Sequence, residues 1–275
     1  MKRTATAAAK INLALVIGEP GADGRHQVAT VLQRIDLCDR VELEPASGLS
    51  IDGFRRDTLV RSALTALAAT AGAETAWRVR LRKSIPVAAG LGGGSADAAA
   101  ALMLANATLP APLDEERLKE LAATLGADVP FFLAPGPKLA EGAGERLSVL
   151  DLPQDYWVLI ALPRGARKQA TGDVYRRFDE LGEGAGFADR RAALLNALAS
   201  SRRPRDFAAF PPNDLAEAAG TAPFAGDLRR LGAFRADVSG AGPAVYGLFQ
   251  RREQALAAAR RLRLRARVWV TAPVW

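Results

Sequence analysis

The sequence predicts a globular chain that mixes strands and helices in about two domains. The chain has 275 residues, a length typical of about two domains. Several segments alternate apolar and polar residues, as a half-buried strand does, and the clearest is 77–81. Others place apolar residues at helical spacing, as 58–70 does with Leu59, Ala63, Leu64 and Leu67. We therefore expect both kinds of element, with a domain change near 150–165.

The remaining elements follow from the same two patterns and from turn residues. In the first strand, 7–17, Lys10, Asn12 and Ala14 share one face and apolar residues share the other. Residues 28–35 fit a strand or a short helix. The other expected strands are 39–44, 156–162, 244–249 and 266–271, and the other expected helices are 98–104, 115–125 and 254–264.

Composition excludes several classes of protein. Hydrophobic residues make up 49% and charged residues 24%, which is ordinary for a globular domain. No apolar run reaches the ~18 residues that a membrane helix needs. The early alanine run meets Lys10 before a signal-peptide core could form. The single cysteine, Cys38, excludes an internal disulfide, so we expect a cytoplasmic protein.

The net charge of +7 leaves two interpretations. The basic residues are dispersed, mostly as arginine doublets such as Arg55–Arg56 and Arg229–Arg230, which favours solvated helix surfaces. A positive field also attracts ATP and other small polyanions. The alternative is RNA binding, against which the lack of interleaved aromatic residues counts. We therefore expect no nucleic-acid partner.

A glycine-rich segment, 84–100, is the strongest functional signal. It places four glycines in 90–94 between a predicted strand and a predicted helix, with Ser95 as the expected N-cap and Asp97 in the first turn. Free amides at such a helix start bind anions, usually phosphate. The segment is neither a Walker A loop nor a dinucleotide fingerprint. The alternative, a bare turn, needs only one or two glycines.

Two charged residues lie where phosphoryl-transfer chemistry could use them. Asp128 follows Gly126-Ala127 at a corner, where a carboxylate can accept the proton of an alcohol. Lys10 lies in an otherwise apolar strand, where a buried ammonium needs an anionic or polar partner. Taken alone, Asp128 also fits an ordinary turn or N-cap residue, and Lys10 also fits a solvent-facing strand position.

Segments along the chain resemble the motifs of the GHMP small-molecule kinases. The stretch 86–99 is similar to their ATP-binding motif, with Ala96 where a second serine is usual. Within that superfamily, 9–13 and 125–132 most resemble segments of the 4-diphosphocytidyl-2-C-methyl-D-erythritol kinases, and 239–243 is similar to the third superfamily motif. The resemblance implies an α+β fold with a ribosomal-S5-domain-2-like half, 1–155, and a ferredoxin-like half, 156–275.

The resemblance also implies roles for individual residues. Lys10 and Asp128 become the catalytic pair, and Ser95 becomes a candidate ligand of the Mg²⁺ that arrives with ATP. The implied ATP-binding residues are Pro86, Val87, Ala88, Ala89, Gly90, Leu91, Gly92, Gly93, Gly94, Ser95 and Ala96. The implied substrate-binding residues are Asn12, Arg25, His26, Lys138, Tyr175, Gly240 and Gly242.

The resemblance implies ATP-dependent phosphorylation of the 2-hydroxyl of 4-diphosphocytidyl-2-C-methyl-D-erythritol, in non-mevalonate isoprenoid synthesis. Arg25 stands where these kinases usually have a tyrosine of the cytosine-binding site, and Asp57 stands where asparagine is usual. Arg25 can still stack on a base. Arg25 also leaves open a GHMP kinase for another small alcohol or phosphate substrate. Taken alone, His26 also fits a loop residue without a role. We expect a monomer or a weak homodimer.

Overall fold

The computed structural model describes residues 1–22, 24–54, 57–74, 76–166 and 169–275. Asp23 and the Arg55–Arg56 doublet therefore lie outside the described residues. The chain forms two compact units. The first consists of Met1–Ala9, Leu37–Val87 and Gly92–Pro135, and the second of Lys10–Asp36, Ala88–Leu91 and Gly136–Trp275. The expected family-domain boundary at 155/156 stays a prediction.

The elements follow one another in mixed order. The strands are β1 (Arg3–Pro20), β2 (His26–Pro45), β3 (Ser50–Asp52), β4 (Trp77–Arg82), β5 (Lys138–Gly142), β6 (Arg146–Val149), β7 (Trp157–Pro163), β8 (Arg235–Val238), β9 (Val245–Phe249), β10 (Ala266–Thr271) and β11 (Pro273–Val274). The helices are α1 (Leu59–Ala71), α2 (Gly93–Asn106), α3 (Glu115–Leu125), α4 (Thr171–Leu181), α5 (Phe187–Ser200), α6 (Ala222–Arg230) and α7 (Arg252–Leu262). Short 3-10 helices span Pro130–Leu133 and Pro204–Ala209.

The first unit pairs the second half of β2 with β4. Arg40 to Pro45 run antiparallel to β4, and β3 runs parallel to the other edge of β4. The apolar residues of β4 are buried and its arginines are exposed, as the alternation predicts. Helices α1 and α2 pack together. Because the middle of α2 is a run of buried alanines, its backbone can approach its neighbours closely.

The second unit contains two sets of paired strands. The first half of β2 pairs antiparallel with β5, which pairs with β6, and β11 adds beside Ile35. The other sheet has the order β10-β7-β9-β8 and is antiparallel throughout. Helices α6 and α7 pack on it. The core of this unit includes Leu159, Phe178 and Phe249, all buried.

Most expected elements are confirmed. The helix 115–125 and the strand 266–271 have the predicted bounds. The segments 28–35 and 39–44 are both strand, and they form one continuous element, β2. The sequence gives little warning of the β5–β6 hairpin, since each strand is short and its alternation is weak. Of the helices that the structure describes, none combines the length and apolar character needed to cross a bilayer.

Candidate active site

The glycine-rich segment connects β4 to α2, as predicted, but the helix starts earlier than expected. Gly92 is the N-cap, with φ 68°, and α2 begins at Gly93. The prediction that Ser95 is the N-cap is therefore wrong, and Asp97 lies beyond the first turn. The reason is physical: glycine adopts the left-handed conformation that starts the helix here, so no serine side chain is needed to begin it. Ser95 is half-buried within the first turn.

The centre of the segment, Ala88–Leu91, belongs to the second unit and there contacts residues 239–243, a second glycine loop. Ser239 Oγ donates a hydrogen bond of 2.9 Å to the Gly90 carbonyl oxygen. The amide of Ala244 donates to the Ala89 carbonyl oxygen at 3.0 Å. Gly90 has φ 81°, and a Cβ there would lie 2.1 Å from the Ser239 carbonyl oxygen. The contact therefore requires glycine at position 90.

Ala88 carries the only non-glycine positive φ among the residues that the structure describes, 61°. An L-residue in the left-handed region is strained by about 1–3 kcal/mol, and such strain is concentrated at functional sites. The strained residue lies among the predicted ATP-binding residues, two positions before Gly90.

Lys10 lies on β1, and its surroundings exclude the solvent-facing alternative. It is only 4% exposed. Its amide donates to the Leu91 carbonyl oxygen at 2.9 Å, and its Nζ donates to Asn12 Oδ1 at 2.7 Å. A Cβ on Gly240 would lie 3.5 Å from both Lys10 Nζ and Asn12 Oδ1. The second unit therefore gathers the ammonium, the amide of Asn12 and both glycine loops in one place.

The buried side chain of Asn213 hydrogen-bonds the backbone of the second glycine loop and of the residue before it. Its Nδ2 donates to the carbonyl oxygens of Gly240 and Val238, at 2.7 and 3.0 Å. The backbone amide of Asn213 donates to Asp237 Oδ2 at 2.8 Å. The Arg235 guanidinium lies 3.5 Å from the same carboxylate oxygen. Burial raises the pKa of Asp237, although Arg235 opposes the shift. These contacts fix the backbone around Gly240.

In the first unit, a buried ion cluster ties the two ends of the glycine-rich segment together. Lys83 Nζ donates to Asp39 of β2 and to Asp97 of α2. Asp39 Oδ1 also accepts from the amides of Ser84 and Ile85, at 2.5 and 2.9 Å. Burial raises the pKa of Asp97 to about 7. Asp39 and Lys83 have no sequence signal of their own, because ion pairs between distant segments depend on the fold.

Asp128 lies in the first unit, in the turn between α3 and the 3-10 helix Pro130–Leu133. It is half-buried. The corner predicted for it is confirmed, since Val129 rather than Asp128 caps the 3-10 helix. Because Lys10 belongs to the second unit, the pairing of the two residues stays a prediction.

Among the predicted substrate residues, His26 and Tyr175 are brought together in the second unit. Their ring centroids lie 4.9 Å apart, and His26 Nε2 is 2.7 Å from Asp179 Oδ1. Arg25, the preceding residue, is exposed, and Asp23 of the same segment lies outside the described residues. Lys138 is buried at the start of β5, and its Nζ lies 3.4 Å from the Gly136 carbonyl oxygen. The substrate roles of these residues stay predictions.

No group of three or more His, Cys, Asp or Glu side chains that could hold a metal ion is found in the described parts of the chain. Mg²⁺ in nucleotide sites is bound mainly by phosphates and water, with one or two protein ligands. The half-buried Ser95 hydroxyl, in the first turn of α2, fits that kind of site.

The chain matches two family models, the GHMP kinases N terminal domain over residues 58–136 and the GHMP kinases C terminal over residues 226–267. It is 35% identical to the 4-diphosphocytidyl-2-C-methyl-D-erythritol kinase of Geobacter sulfurreducens, over 99% of this chain and 98% of that protein. It is 38% identical to the enzyme of that name from an Anaeromyxobacter species, over 94% and 86%.

Solved structures give the same result. The crystal structure of a 4-(cytidine 5'-diphospho)-2C-methyl-D-erythritol kinase superposes with a TM-score of 0.79 at 35% identity and covers both chains completely. A homoserine kinase from Cytophaga hutchinsonii, at 18% identity and a TM-score of 0.77, covers 99% of this chain and 95% of its own and shares the fold. The mevalonate kinase of Methanococcus jannaschii also shares the fold, at 12% identity and a TM-score of 0.77. The match covers 100% of this chain and 99% of that one. The α+β fold class expected from the sequence is confirmed.

Proposed function

Because the chain belongs to the GHMP kinases and, within them, to the 4-diphosphocytidyl-2-C-methyl-D-erythritol kinases, we propose that it transfers the γ-phosphoryl group of ATP to the 2-hydroxyl of that cytidine diphosphate compound. The chain is a small-molecule kinase, and ATP is its phosphoryl donor. The reaction belongs to isoprenoid precursor synthesis. We expect the enzyme in the cytoplasm, as a monomer or a weak homodimer.

One observation carries the proposal furthest: the contact between the two glycine loops beside the Lys10 ammonium. Gly90 and Ser239 share a hydrogen bond, and Gly240 lies beside Lys10 Nζ. Phosphoryl transfer needs backbone amides to cradle the phosphates and a positive charge to stabilise the transition state. The loop backbone at Ala88–Leu91, Gly240 and the Lys10 ammonium all belong to the second unit, which supports this role. The proposed ATP-binding residues are those from Pro86 to Ala96.

In the proposed mechanism, Asp128 is the general base. Its carboxylate accepts the proton of the 2-hydroxyl as the hydroxyl oxygen attacks the γ-phosphorus. A bond forms between that oxygen and phosphorus, the bond from phosphorus to the β,γ-bridging oxygen breaks, and ADP leaves. The Lys10 ammonium stabilises the negative charge on the phosphoryl oxygens during transfer. Asn12 holds that ammonium through the 2.7 Å hydrogen bond.

Mg²⁺ arrives with ATP, and Ser95 is the residue proposed to bind it. When bound, the ion would neutralise negative charge on the nucleotide phosphates. The Ser95 hydroxyl would be one oxygen ligand, which matches the preference of Mg²⁺ for oxygen and for few protein ligands.

The cytidine end of the substrate is assigned to His26 and Tyr175. Their rings lie in contact and offer an aromatic surface to a base, with Asp179 fixing the orientation of the His26 ring. Arg25, which precedes His26 in the chain, is exposed and can stack its guanidinium on the base. Asn12, Lys138, Gly240 and Gly242 complete the proposed set of substrate contacts.

A substrate panel tests the function directly. Purified protein is given γ-labelled ATP and Mg²⁺ with one of three alcohols: 4-diphosphocytidyl-2-C-methyl-D-erythritol, mevalonate or homoserine. We expect label to appear only in the first, with a new phosphomonoester on the 2-hydroxyl in the ³¹P NMR spectrum. If another alcohol is turned over and the cytidine diphosphate compound is not, the chain is a GHMP kinase for a different substrate. This is the alternative suggested by Arg25.

A further inference from the structure

A threonine hydroxyl is linked to the proposed catalytic ammonium through the side chain of one residue, Asn12. Thr30, on β2, accepts a hydrogen bond from Asn12 Nδ2 at 2.8 Å and donates one to the Ala14 carbonyl oxygen at 2.7 Å. Asn12 Oδ1 in turn accepts from Lys10 Nζ at 2.7 Å. We propose that Thr30 is a positioning residue, whose hydroxyl fixes the Asn12 amide and thereby places the Lys10 ammonium.

The direction of these hydrogen bonds follows from the chemistry of a hydroxyl. Thr30 has one O–H hydrogen, and the Ala14 carbonyl oxygen, which can only accept, takes it. The Thr30 oxygen therefore offers only a lone pair to Asn12, and only the NH₂ side of the amide can bond to it. The carbonyl side of Asn12 must then face Lys10.

Burial makes this arrangement exclusive. Lys10 and Asn12 are each 4% exposed and Thr30 is 6% exposed, so bulk water has little access to any of the three. If the Asn12 amide turned over, its NH₂ group would face the ammonium and its carbonyl oxygen would face the Thr30 oxygen, so Asn12 would lose both of these hydrogen bonds. A buried donor left without a partner costs about 1–3 kcal/mol. The Thr30 hydroxyl thus selects one orientation of Asn12.

Position matters for the ammonium because it lies against the second glycine loop. The space where a Gly240 side chain would begin is 3.5 Å from both Lys10 Nζ and Asn12 Oδ1. In phosphoryl transfer, an error of about 1 Å in placing a group can slow the reaction about 100-fold. The inference therefore rests on the proposed function in one respect, the catalytic role of Lys10.

Two substitutions separate the hydroxyl from the packing of the side chain. Thr30→Val keeps the branched shape but removes the hydrogen bonds, and Thr30→Ser keeps the hydroxyl but loses a methyl group. Thr108 offers a matched control in the first unit: its hydroxyl also accepts from a side-chain N–H, Trp77 Nε1 at 2.9 Å, and donates to a backbone carbonyl, Ala105 at 2.6 Å. Thr108→Val therefore removes the same kind of hydrogen-bonded hydroxyl away from Lys10.

Steady-state kinetics give the first readout. We expect Thr30→Val to lower kcat about tenfold or more, with KM for ATP changed less than about threefold, since the ammonium acts mainly in the transition state. Thr30→Ser should stay within about threefold of wild type, and Thr108→Val should keep the wild-type kcat. A Thr30→Val enzyme with unchanged kcat, or a Thr30→Ser enzyme as slow as Thr30→Val, overturns the proposal.

A second readout does not depend on activity. The chain has six lysines, so ¹⁵N-lysine labelling gives few side-chain ammonium signals in an NMR spectrum, and Lys10→Arg identifies that of Lys10. We expect this signal to shift or broaden in Thr30→Val and to remain in place in Thr108→Val. An unmoved signal in folded Thr30→Val overturns the proposal. If no substrate is turned over and the signal still moves, the proposed function fails while the positioning by Thr30 stands.

Discussion

The Ser239 hydroxyl donates a 2.9 Å hydrogen bond to the carbonyl oxygen of Gly90, across 149 residues of chain. The sequence presents these as two separate glycine-rich segments. The hydrogen bond, together with the one from Ala244 to Ala89, makes them neighbours within the second unit. Gly90 lies in this contact, and Asn213 bonds the neighbouring carbonyl oxygen of Gly240.

Gly90 should not tolerate any side chain. An alanine there would bring Cβ to 2.1 Å from the Ser239 carbonyl oxygen and would also have to adopt φ 81°. Both effects displace the loop, so we expect Gly90→Ala to lower kcat/KM for ATP by about 100-fold or more. Initial rates at varied ATP concentration measure the effect. Gly48→Ala is the control, because a Cβ there meets nothing within 4 Å. Equal activity of the two variants would contradict the tight contact.

Asn213 should matter for catalysis more than for stability. Removing its amide in Asn213→Ala leaves the Gly240 and Val238 carbonyl oxygens without their donor. The loss costs about 1–3 kcal/mol of stability, and it also frees the loop beside Lys10. We expect kcat/KM to fall about tenfold or more at a temperature where the variant is fully folded.

The control for Asn213 is a second buried asparagine, Asn106. Its side chain also bonds one backbone carbonyl and one backbone amide, both of Leu113. Asn106→Ala should lose similar stability in chemical denaturation and keep kcat/KM. If both variants keep the wild-type kcat/KM, Asn213 has only a structural role.

His26 should control affinity for the cytidine compound alone. Its ring packs 4.9 Å from that of Tyr175, and a contact of this kind contributes about 0.5–1.5 kcal/mol beyond its buried area. We expect His26→Ala to raise KM for the cytidine substrate about tenfold and to leave KM for ATP unchanged. Steady-state kinetics with each substrate varied in turn separate the two constants. Equal increases in both KM values would refute a role at the base.

Asp97 should make the folded chain less stable as pH rises. Burial raises its pKa to about 7 in the folded chain, against about 3.9 when unfolded, so the folded state holds the extra proton between these values. Stability from this group therefore falls from about pH 4 to about pH 7 and is constant above that. Lys83, Asp39 and Asp57 are the charges that act on it.

Thermal unfolding from pH 5 to pH 8 tests this sign. Asp97→Asn has no proton to lose, so its Tm should fall less than that of wild type across this range. The two falls in Tm should differ by at least about 3 °C. Asp155→Asn, at an exposed position, should follow the wild-type curve. A difference between Asp97→Asn and wild type that does not change with pH would show that the Asp97 carboxyl keeps an ordinary pKa.

Much of the fold could be predicted from local patterns. The alternation of β4, the helix that ends at Gly126 and the strand 266–271 are encoded by residues next to one another in sequence. The start of α2 was mispredicted because two signals competed there. Ser95 is a good N-cap residue, but Gly92 takes the left-handed conformation first and starts the helix upstream.

The proposed site could be predicted only where a motif marks it. The glycine segments, Lys10 and Asp128 stood out because their residue types are unusual in their surroundings. Thr30, Asp39 and Lys83 did not, because a threonine in a strand and charges near a strand end are common. Their contacts are hydrogen bonds that join residues 14 to 46 positions apart, and single-sequence patterns do not contain such pairings.

The proposed general-base role of Asp128 is tested most directly by the rate of a single turnover. Excess enzyme is mixed with γ-labelled ATP, Mg²⁺ and 4-diphosphocytidyl-2-C-methyl-D-erythritol, and the reaction is quenched on the millisecond-to-minute scale. Asp128→Asn keeps the size of the side chain but cannot accept the proton, so we expect transfer about 100- to 10,000-fold slower than in wild type. Asp151→Asn, an exposed control, should match wild type. Transfer by Asp128→Asn at the wild-type rate would contradict the proposed mechanism.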